Sequence, residues 1–504
     1  MAIESPIHDG RPQRAQGAQA RSLALPVALF LLALISPFIL QVGGVRLSAY
    51  RIVLLVMTPA LMYFWMAGRA GRIRLADVAV LLLSLWATVS FSVLHGPGVG
   101  IEAGGIFFVE TMGAYLLARV FIRSAAAFRA MAKLLFWMAM FFLPFAVIEA
   151  TTGKNILLDL ARSLWTAHPH RHADGQRLGL DRVQATFEHP ILFGVFCGTV
   201  IGLTHMVLGH GQSFLRRTGR TALVFLTAAF SLSAGPLTGM VAQFGLIVWN
   251  TIFARLKSRW MVLTGLVAAG LVFIEIAATR SAPAIFISYF AFNEYSAYLR
   301  IHMWNFGTAS ILNHPLFGIG FNDWERPFWM TSSIDMFWIV HGVRHGIPAM
   351  AMTFLAFFAV YLPLAFRRNL GDFRHDCRLG LLFSLTGFFL MGWTVHYWNA
   401  VYALFLFMLG SGVWLLDEET ADDPGMAEAE APPSPGRTDA AAPAFSRRLE
   451  GASDARLPET APETAPETGP ETGPGTGTRR PPSDRLNSGD STLSFSRRLS
   501  DRER

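Results

Sequence analysis

Cysteine and charge are both scarce in this sequence. Only two cysteines, Cys197 and Cys377, occur among 504 residues; one falls in a predicted apolar span and the other in a predicted cytoplasmic loop. Neither a disulfide framework nor a cysteine-based metal site is therefore expected. Charged residues make up 15% of the chain against 52% hydrophobic residues. The short amphipathic periods typical of a soluble protein are lacking, which excludes that class.

A series of long apolar windows runs from Ser22 to Leu416 instead. Each window of roughly 17 to 21 residues can cross a hydrocarbon core of about 30 Å as a helix. The first, Leu23 to Leu40, lacks a small-residue cleavage site and predicts a retained helix rather than a signal peptide. The sequence thus predicts an all-α polytopic membrane protein of about 12 transmembrane helices. We place the spans at about 23–41, 48–67, 75–94, 103–121, 132–149, 189–208, 221–234, 237–254, 260–277, 335–366, 379–396 and 400–416.

Arginine and lysine alternate between the predicted loops. The short loops on one side, such as 95–102 and 396–400, carry almost none. Cytoplasmic loops of membrane proteins carry the excess of Lys and Arg. Both ends, residues 1–21 and 417–504, are therefore expected in the cytoplasm. The basic loops on that side are 69–74, 119–133, 216–220, 255–259 and 367–378.

Two long loops, at about 150–188 and 278–334, break this alternation because they lie on the predicted outer face and yet are basic. One interpretation is that long translocated loops are exempt from the charge bias and their arginines are solvated. The other is an anion pocket, because Arg forms forked contacts to phosphate or carboxylate oxygens. The arginines of these loops include Arg162, Arg171, Arg177, Arg182, Arg280, Arg300 and Arg326.

The stretch from Tyr298 to Met350 is rich in Arg, His and Trp although it lies between strongly apolar segments. Folding of a mostly apolar helical chain does not require such a segment, so we expect it to hold the chemistry. The span at 335–366 is too long for one crossing. It is expected to begin as an interfacial helix and to cross from about Gly346.

Short segments of the chain resemble the O-antigen ligase and polymerase family. Residues 182–194, RVQATFEHPILFG, are similar to the signature R-x-x-(G/A)-T-F-x-x-P-N-x-x-(A/G), with Ile191 in the place of Asn. Arg300 and Trp304, followed by HPLFGIG at 314–320, are similar to R-x-x-x-W and P-L-x-G-x-G. The corner SAGPLT at 233–238 resembles the family's S-R-G hairpin, with Ala in the place of Arg.

This resemblance implies a C-type glycosyltransferase-like bundle over residues 22–416, and a metal-independent inverting glycosyltransferase without a cofactor. Such enzymes take a glycan from undecaprenyl pyrophosphate at the periplasmic face of the bacterial inner membrane and pass it to an acceptor hydroxyl. The acceptor is another glycan repeat in polymerases and lipid A core in ligases. Because the leaving pyrophosphate is anionic, preorganised cations lower the barrier. Arg182 and Arg300 match the motifs best, with Arg280 third.

A base is needed to take the acceptor's proton. The ligases usually carry a His-Asn pair just before the helix that follows the long loop, and the matching place here holds Asp335, a form associated with exopolysaccharide-type polymerases. At 100° per residue from Asp335, Trp338, His341 and His345 share about one third of the helix surface. Either histidine is an alternative base, or a structural residue bonded to backbone or water. Trp304 and Trp338 are candidates for sugar contacts or for interfacial anchoring.

Other ionisable residues have structural alternatives. Glu110 falls inside the fourth predicted span, where the choice lies between a functional group and a hydrogen-bonded glutamate between helices. Glu149 is expected to face either the pocket or water. His168, His170 and His172 alternate, but no nearby cysteine completes a metal-ligand set, so a metal site is not expected.

The tail at 417–504 is rich in Pro, Gly, Ala, Glu and Thr and contains a tandem PET repeat. Such a composition cannot bury a core, so a disordered cytoplasmic tail is expected. The segment FSRRL occurs twice, at 445–449 and 495–499. Its arginines and apolar residues suit the anionic inner leaflet or a protein partner, and the alternative is a duplication without function.

A different class of function also fits about twelve spans, namely a transporter or lipid-linked sugar flippase of major-facilitator type. Such proteins place the long loop in the cytoplasm between two similar halves, and this sequence does neither. The enzyme is therefore favoured, and within it the polymerase over the ligase because of Asp335. Expected partners are the lipid-linked glycan, a polysaccharide acceptor, the bilayer, and chain-length regulator or export proteins. Nucleic acid is not among them, since the tail and the cytoplasmic loops account for the pI of about 9.7.

Overall fold

A computed structural model of the chain describes residues 23–42, 45–169, 176–277, 285, 294–368 and 370–417. The predictions for residues 1–21, for Arg280 and for the tail beyond 417 lie outside these ranges. The helices are α1 Leu25–Leu34, α2 Ala49–Met66, α3 Leu75–His95, α4 Pro97–Phe108, α5 Ala114–Phe121, α6 Ala125–Thr152, α7 Ile156–Leu164, α8 Pro190–Gly198, α9 Val200–Met206, α10 Phe214–Ala229, α11 Ala234–Ile252, α12 Arg259–Ala277, α13 Glu294–Asn313, α14 Phe337–Phe366, α15 Asp372–Met391 and α16 Ala400–Gly410.

The chain has the helices of a multi-pass membrane protein. Within the described ranges, six helical stretches are long and apolar enough to cross a membrane. The other predicted spans coincide with helices that are shorter, more charged or less apolar; α1 has 10 residues, for example, and α15 contains Arg374 and Arg378. The six candidate spans are Ala49–Met66, Leu75–His95, Pro97–Phe121, Ala125–Thr152, Arg259–Ala277 and Phe337–Phe366.

The first predicted span, 23–41, is wrong over its second half. Helix α1 ends at Leu34, and the chain continues into the strands β1, Ile39–Val42, and β2, Val45–Ser48, which pair antiparallel. Pro37 has no backbone N–H to donate within a helix, which favours the end of α1 before it. An apolar run cannot by itself distinguish these two structures.

Helix α14 is broken at Gly346, the residue from which the sequence predicts the crossing. Gly346 has φ 83°, and Pro348 follows within the same helix. Because proline lacks an N–H and its ring crowds the preceding turn, carbonyl groups before it lose their helical partners. The main-chain N–H groups of Ile319 and Gly320 donate to the carbonyls of Val343 and Arg344, both at 2.9 Å.

The HPLFGIG turn at 314–320 is therefore a structural partner of this break. Its glycines allow a close approach, since a Cβ on Gly318 would lie 2.5 Å from the Val343 carbonyl oxygen. Helix α3 completes the arrangement: Trp86 Nε1 donates to the His345 carbonyl at 2.9 Å and Ser90 Oγ donates to the Phe317 carbonyl at 2.7 Å. The turn thus fixes the direction of α14 before and after Gly346.

An apolar cluster holds α13 and the loop 314–336 against the first part of α14. Its buried members include Met303 and Ile311 of α13, Trp324 and Met336 of the loop, and Val343 of α14. Burial of such side chains is worth roughly 1.5–3 kcal/mol each. The polar stretch at 298–350 is thereby packed onto the helices rather than left as a free loop.

Candidate active site

His341 and His345 lie one turn apart in the first part of α14 and line a cavity of about 310 Å³. A cavity of this size lies at the lower end of the range for small-molecule sites. The two imidazole rings are 6.4 Å apart, centroid to centroid. The remaining lining residues are Phe107, Ser332, Ser333, Ile334, Val340, Arg344 and His396.

The histidines differ in what holds them. Ser90 Oγ lies 3.3 Å from His345 Nδ1, and the Phe91 ring meets the His345 ring edge-on at 4.7 Å. His341 is also buried, but among the described residues its Nε2 has no hydrogen-bond partner. His345 is thus held by α3, while His341 has a ring nitrogen that no described residue satisfies.

Arg344 lines the same cavity, although the helical wheel places it opposite Asp335. Its Nη1 donates to the carbonyls of Gly320 at 2.8 Å and Asn322 at 2.9 Å. These bonds tie the loop after the HPLFGIG turn to α14, and they leave a cation at the wall of the cavity.

Asp335 is not part of the helix, which corrects the helical-wheel prediction. Helix α14 begins at Phe337, and the preceding Met336 is extended with φ −141°. Asp335 Oδ1 accepts a hydrogen bond of 2.6 Å from Ser333 Oγ. Since Ser333 and Ile334 line the cavity, the Asp335 carboxylate lies beside it rather than on the histidine face of the helix.

The predicted arginines come from two distant segments. Arg300 lies on α13; burial lowers the pKa of its guanidinium, the Asp335 carboxylate raises it and the Arg177 guanidinium lowers it. Within the described part of the chain, Arg300 Nη1 is buried without a hydrogen-bond partner. Arg182 Nη2 donates to Ser233 Oγ at 2.8 Å, and Arg177 Nη1 donates to the neighbouring Leu232 carbonyl at 2.7 Å. Arg177 therefore acts electrostatically on Arg300 and is bonded to the residue next to the one that binds Arg182.

The two tryptophans proposed to contact sugar lie in different surroundings. Trp304 is half-buried on α13, with its ring 6.0 Å from that of Trp393. Trp338 has no exposed surface, its Nε1 donates to the Phe389 carbonyl at 2.8 Å, and its ring stacks on Phe354 at 4.9 Å. In this structure Trp338 is a packing residue and offers no surface to a sugar.

Glu149 faces neither an open pocket nor water. Its carboxylate accepts hydrogen bonds from the main-chain N–H groups of Gln184 at 2.8 Å and Ala185 at 3.0 Å, and from Asn155 Nδ2 at 3.1 Å. Ala185 has φ 51°, a left-handed conformation that is uncommon for a residue with a side chain. Glu149 therefore holds the strained segment that carries Arg182.

Glu110 and Glu188 belong to a polar chain that joins three parts of the molecule. Glu110 Oε1 accepts from Tyr50 Oη at 2.5 Å and from Arg51 Nε at 2.7 Å. Arg51 Nη2 donates to Asn399 Oδ1 at 2.9 Å, and Asn399 Nδ2 donates to both oxygens of Glu188, at 2.7 and 2.6 Å. Glu110 is thus hydrogen-bonded between helices, as one of the two interpretations of the sequence has it, and it is also ion-paired with Arg51.

His168 takes part in this chain, with its Nδ1 3.4 Å from Glu188 Oε1. His170 and His172 lie outside the described residues. Across the ranges that are described, no group of three or more His, Cys, Asp or Glu side chains is placed to hold a metal ion.

His396 is a site residue that sequence reasoning missed, and Arg177 was noted only as one of the arginines of the basic outer loops. Arg177 belongs to the basic outer loop but to no motif. His396 stands in a short loop noted only for its lack of positive charge. The signal that could have identified His396 is its position at the predicted outer end of the span 379–396. This signal is weak.

No family model matches the sequence, and no curated protein matches it. The resemblance to the O-antigen ligase and polymerase family therefore rests on the motifs themselves.

Proposed function

We propose that the chain is a membrane glycosyltransferase that polymerises an exopolysaccharide or O-antigen. It transfers a glycan from undecaprenyl pyrophosphate to the hydroxyl of an acceptor glycan at the periplasmic face of the bacterial inner membrane. The observation that carries this proposal is that Asp335, which acts electrostatically on Arg300, directly follows Ser333 and Ile334 of a cavity lined by histidines. The motif resemblance supplies the substrate class.

Guanidinium groups suit the donor side of this reaction. When the glycosidic bond to the pyrophosphate breaks, negative charge develops on the departing oxygen, and preorganised cations stabilise it most in a site that excludes water. Arg300 has a buried nitrogen that no described residue satisfies, and a phosphate oxygen would satisfy it. Arg177 and Arg182 are held on the turn Leu232–Ser233 through main-chain and side-chain oxygens. Arginines placed in this way supply the charge that a metal ion supplies in other transferases.

Single displacement with inversion also needs a proton acceptor near the acceptor hydroxyl. Asp335 lies between the arginine side and the histidine cavity, with one carboxylate oxygen bonded to Ser333. Its position favours it as the base, with His341 and His345 as the alternatives. The same residue supports polymerase over ligase, because the ligases have histidine in its place.

Replacing Arg300 with alanine is expected to lower the rate of glycan transfer by about 100- to 1,000-fold, because one preorganised cation is lost from the transition state. Arg300→Lys keeps the charge but not the forked geometry and is expected to restore part of the rate. The measurement is polymer formation by the purified protein in nanodiscs, with an undecaprenyl-pyrophosphate-linked glycan as donor.

Arg255→Ala is the matched control, since Arg255 is an exposed arginine outside the two long loops of the predicted outer face. It should polymerise at the wild-type rate. Wild-type polymer from both Arg300→Ala and Arg182→Ala would refute the pyrophosphate site.

A further inference from the structure

Two histidines that line the cavity near Asp335 each have a buried ring nitrogen without a hydrogen-bond partner among the described residues. His341 Nε2 and His396 Nδ1 are both inaccessible to solvent, and no described residue bonds to either. Both residues line the same cavity although they come from different elements, α14 and the loop between α15 and α16. A buried polar atom left unsatisfied destabilises a protein, so two of them at one cavity point to a ligand that satisfies both.

We infer that His396 and His341 together bind a hydroxyl of the acceptor glycan next to the one that is glycosylated. This inference rests on the proposed function. A hydroxyl group fits the pair because its oxygen accepts a hydrogen bond from one ring N–H while its hydrogen is donated to the other ring nitrogen.

The cavity wall supplies the rest of an acceptor site. Phe107 provides an apolar ring next to the histidines, with its centroid 5.8 Å from that of His341. Ser332 and Ser333 provide polar atoms at the same wall, and Asp335 lies just beyond them in the chain. In the reaction, the attacking acceptor oxygen bonds to the donor's anomeric carbon. The bond from that carbon to the pyrophosphate oxygen breaks, and the pyrophosphate leaves with the electron pair. The proton of the attacking hydroxyl passes to the base, for which Asp335 is favoured.

The loop that carries His396 is held at both ends. On one side, the Phe337 N–H donates to the Val395 carbonyl at 3.0 Å, which joins the loop to the start of α14. On the other side, Trp398 Nε1 donates to Glu188 Oε2 at 2.9 Å, and the Trp398 ring lies 5.8 Å from the His396 ring. His396 is therefore fixed by contacts rather than carried on a free loop.

Asn399 ends this loop in a strained conformation, with φ 51° and ψ −124°. Strained backbone persists where side-chain contacts over-determine it, and here the contacts are those of Asn399 with Glu188 and Arg51. Glu188 lies in the same signature segment as Arg182, so one carboxylate joins the segment of the donor site to the loop of the acceptor site. We assign Glu188 as a positioning residue on this basis.

The inference is tested with full-length protein in nanodiscs, with the lipid-linked glycan as donor and a glycan oligosaccharide as acceptor. His396→Phe keeps the ring but loses both nitrogens; it is expected to raise the KM for the acceptor about tenfold, the effect of losing one hydrogen bond to a bound hydroxyl. The KM for the donor should stay unchanged. His396→Asn places an amide where Nδ1 stands and should restore most of the acceptor KM.

His205→Phe is the control, since His205 is a buried histidine bonded to Thr221 and does not line the cavity. Its acceptor KM should equal that of the wild type. If the wild-type protein transfers no glycan from the donor, the proposed function fails whatever His396 does. If the wild type is active and His396→Phe leaves the acceptor KM unchanged, the inference fails alone.

A second measurement does not depend on catalysis. The ring nitrogens of isotope-labelled histidines are followed by NMR of the protein in nanodiscs, and the signals of His341 and His396 are identified by their loss in His341→Phe and His396→Phe. The acceptor oligosaccharide should shift both signals, whereas the donor alone should not. Unchanged signals at saturating acceptor would overturn the inference.

Discussion

At the scale of single residues, Asp335 separates two chemical interpretations of the site. It precedes α14, accepts a hydrogen bond from Ser333 and acts on Arg300, so it is placed between the cationic side and the histidine cavity. His341 and His345 face the cavity from the helix itself. Asp335, His341 and His345 are therefore three candidate acceptors for the proton of the attacking hydroxyl.

Asp335→Asn distinguishes them, because the amide oxygen can still accept from Ser333 but cannot take a proton at neutral pH. If Asp335 is the base, the transfer rate should fall by about 100- to 10,000-fold. The rate is measured with saturating donor and acceptor. Asp323→Asn is the control, since Asp323 is exposed, forms an ion pair with Arg326 and accepts a hydrogen bond from the main-chain N–H of Trp324. A wild-type rate for Asp335→Asn would exclude it as the base and leave His341 and His345.

At the scale of elements, the break of α14 aims the histidines. The turn 314–320 and Trp86 of α3 occupy the carbonyl groups that the break at Gly346 sets free. A Cβ on Gly346 would overlap the Leu316 carbonyl oxygen, a closer approach than a side-chain atom can make. The HPLFGIG motif is thereby explained as a scaffold for the active helix, whatever else it contacts.

Gly346→Ala is expected to destabilise the protein by about 3 kcal/mol or more, because it adds left-handed strain to a clash with the backbone. Glycan transfer should be lost with it. Gly245→Ala is the matched control: this glycine lies within α11 with open space where a Cβ would stand, and alanine there should be neutral or stabilise by about 0.5–1 kcal/mol. Thermal unfolding followed by tryptophan fluorescence compares the two variants. Equal stability of both would contradict the scaffold role.

At the scale of the whole molecule, the arrangement in the membrane sets which side the site faces. Helix α12 buries none of its side chains although most of them are apolar, which is expected of a helix that faces lipid. The positive-inside rule predicts that the cavity faces the outer side and that the loop before α10 faces the cytoplasm. The proposed reaction requires that orientation.

Cysteine labelling tests it, because both native cysteines are buried. Ser332→Cys and Ser213→Cys each introduce a thiol at an exposed position, one at the cavity and one before α10. A membrane-impermeant maleimide should label the first in intact spheroplasts and the second only after lysis. Labelling of both from the same side would contradict the topology and the periplasmic site.

Several elements could be predicted closely from the sequence. The span predicted at 75–94 is the helix Leu75–His95, and that at 260–277 is Arg259–Ala277, because a long apolar run bounded by arginine, glycine or proline has few other structures open to it in a bilayer. The hairpin after Leu34 was missed for the converse reason, since a short apolar run suits a strand equally well.

The sequence by itself determined the membrane class, the position of most helices and the motif arginines Arg182 and Arg300, since each depends on local composition or spacing. Only the tertiary structure decided that Trp338 is buried, that Asp335 precedes the helix, and that Arg177 and His396 join the site. Those facts depend on contacts between segments that are far apart in the sequence, such as Trp338 with Phe389 and Glu188 with Asn399. No local pattern encodes such a contact, because it arises only when the helices pack.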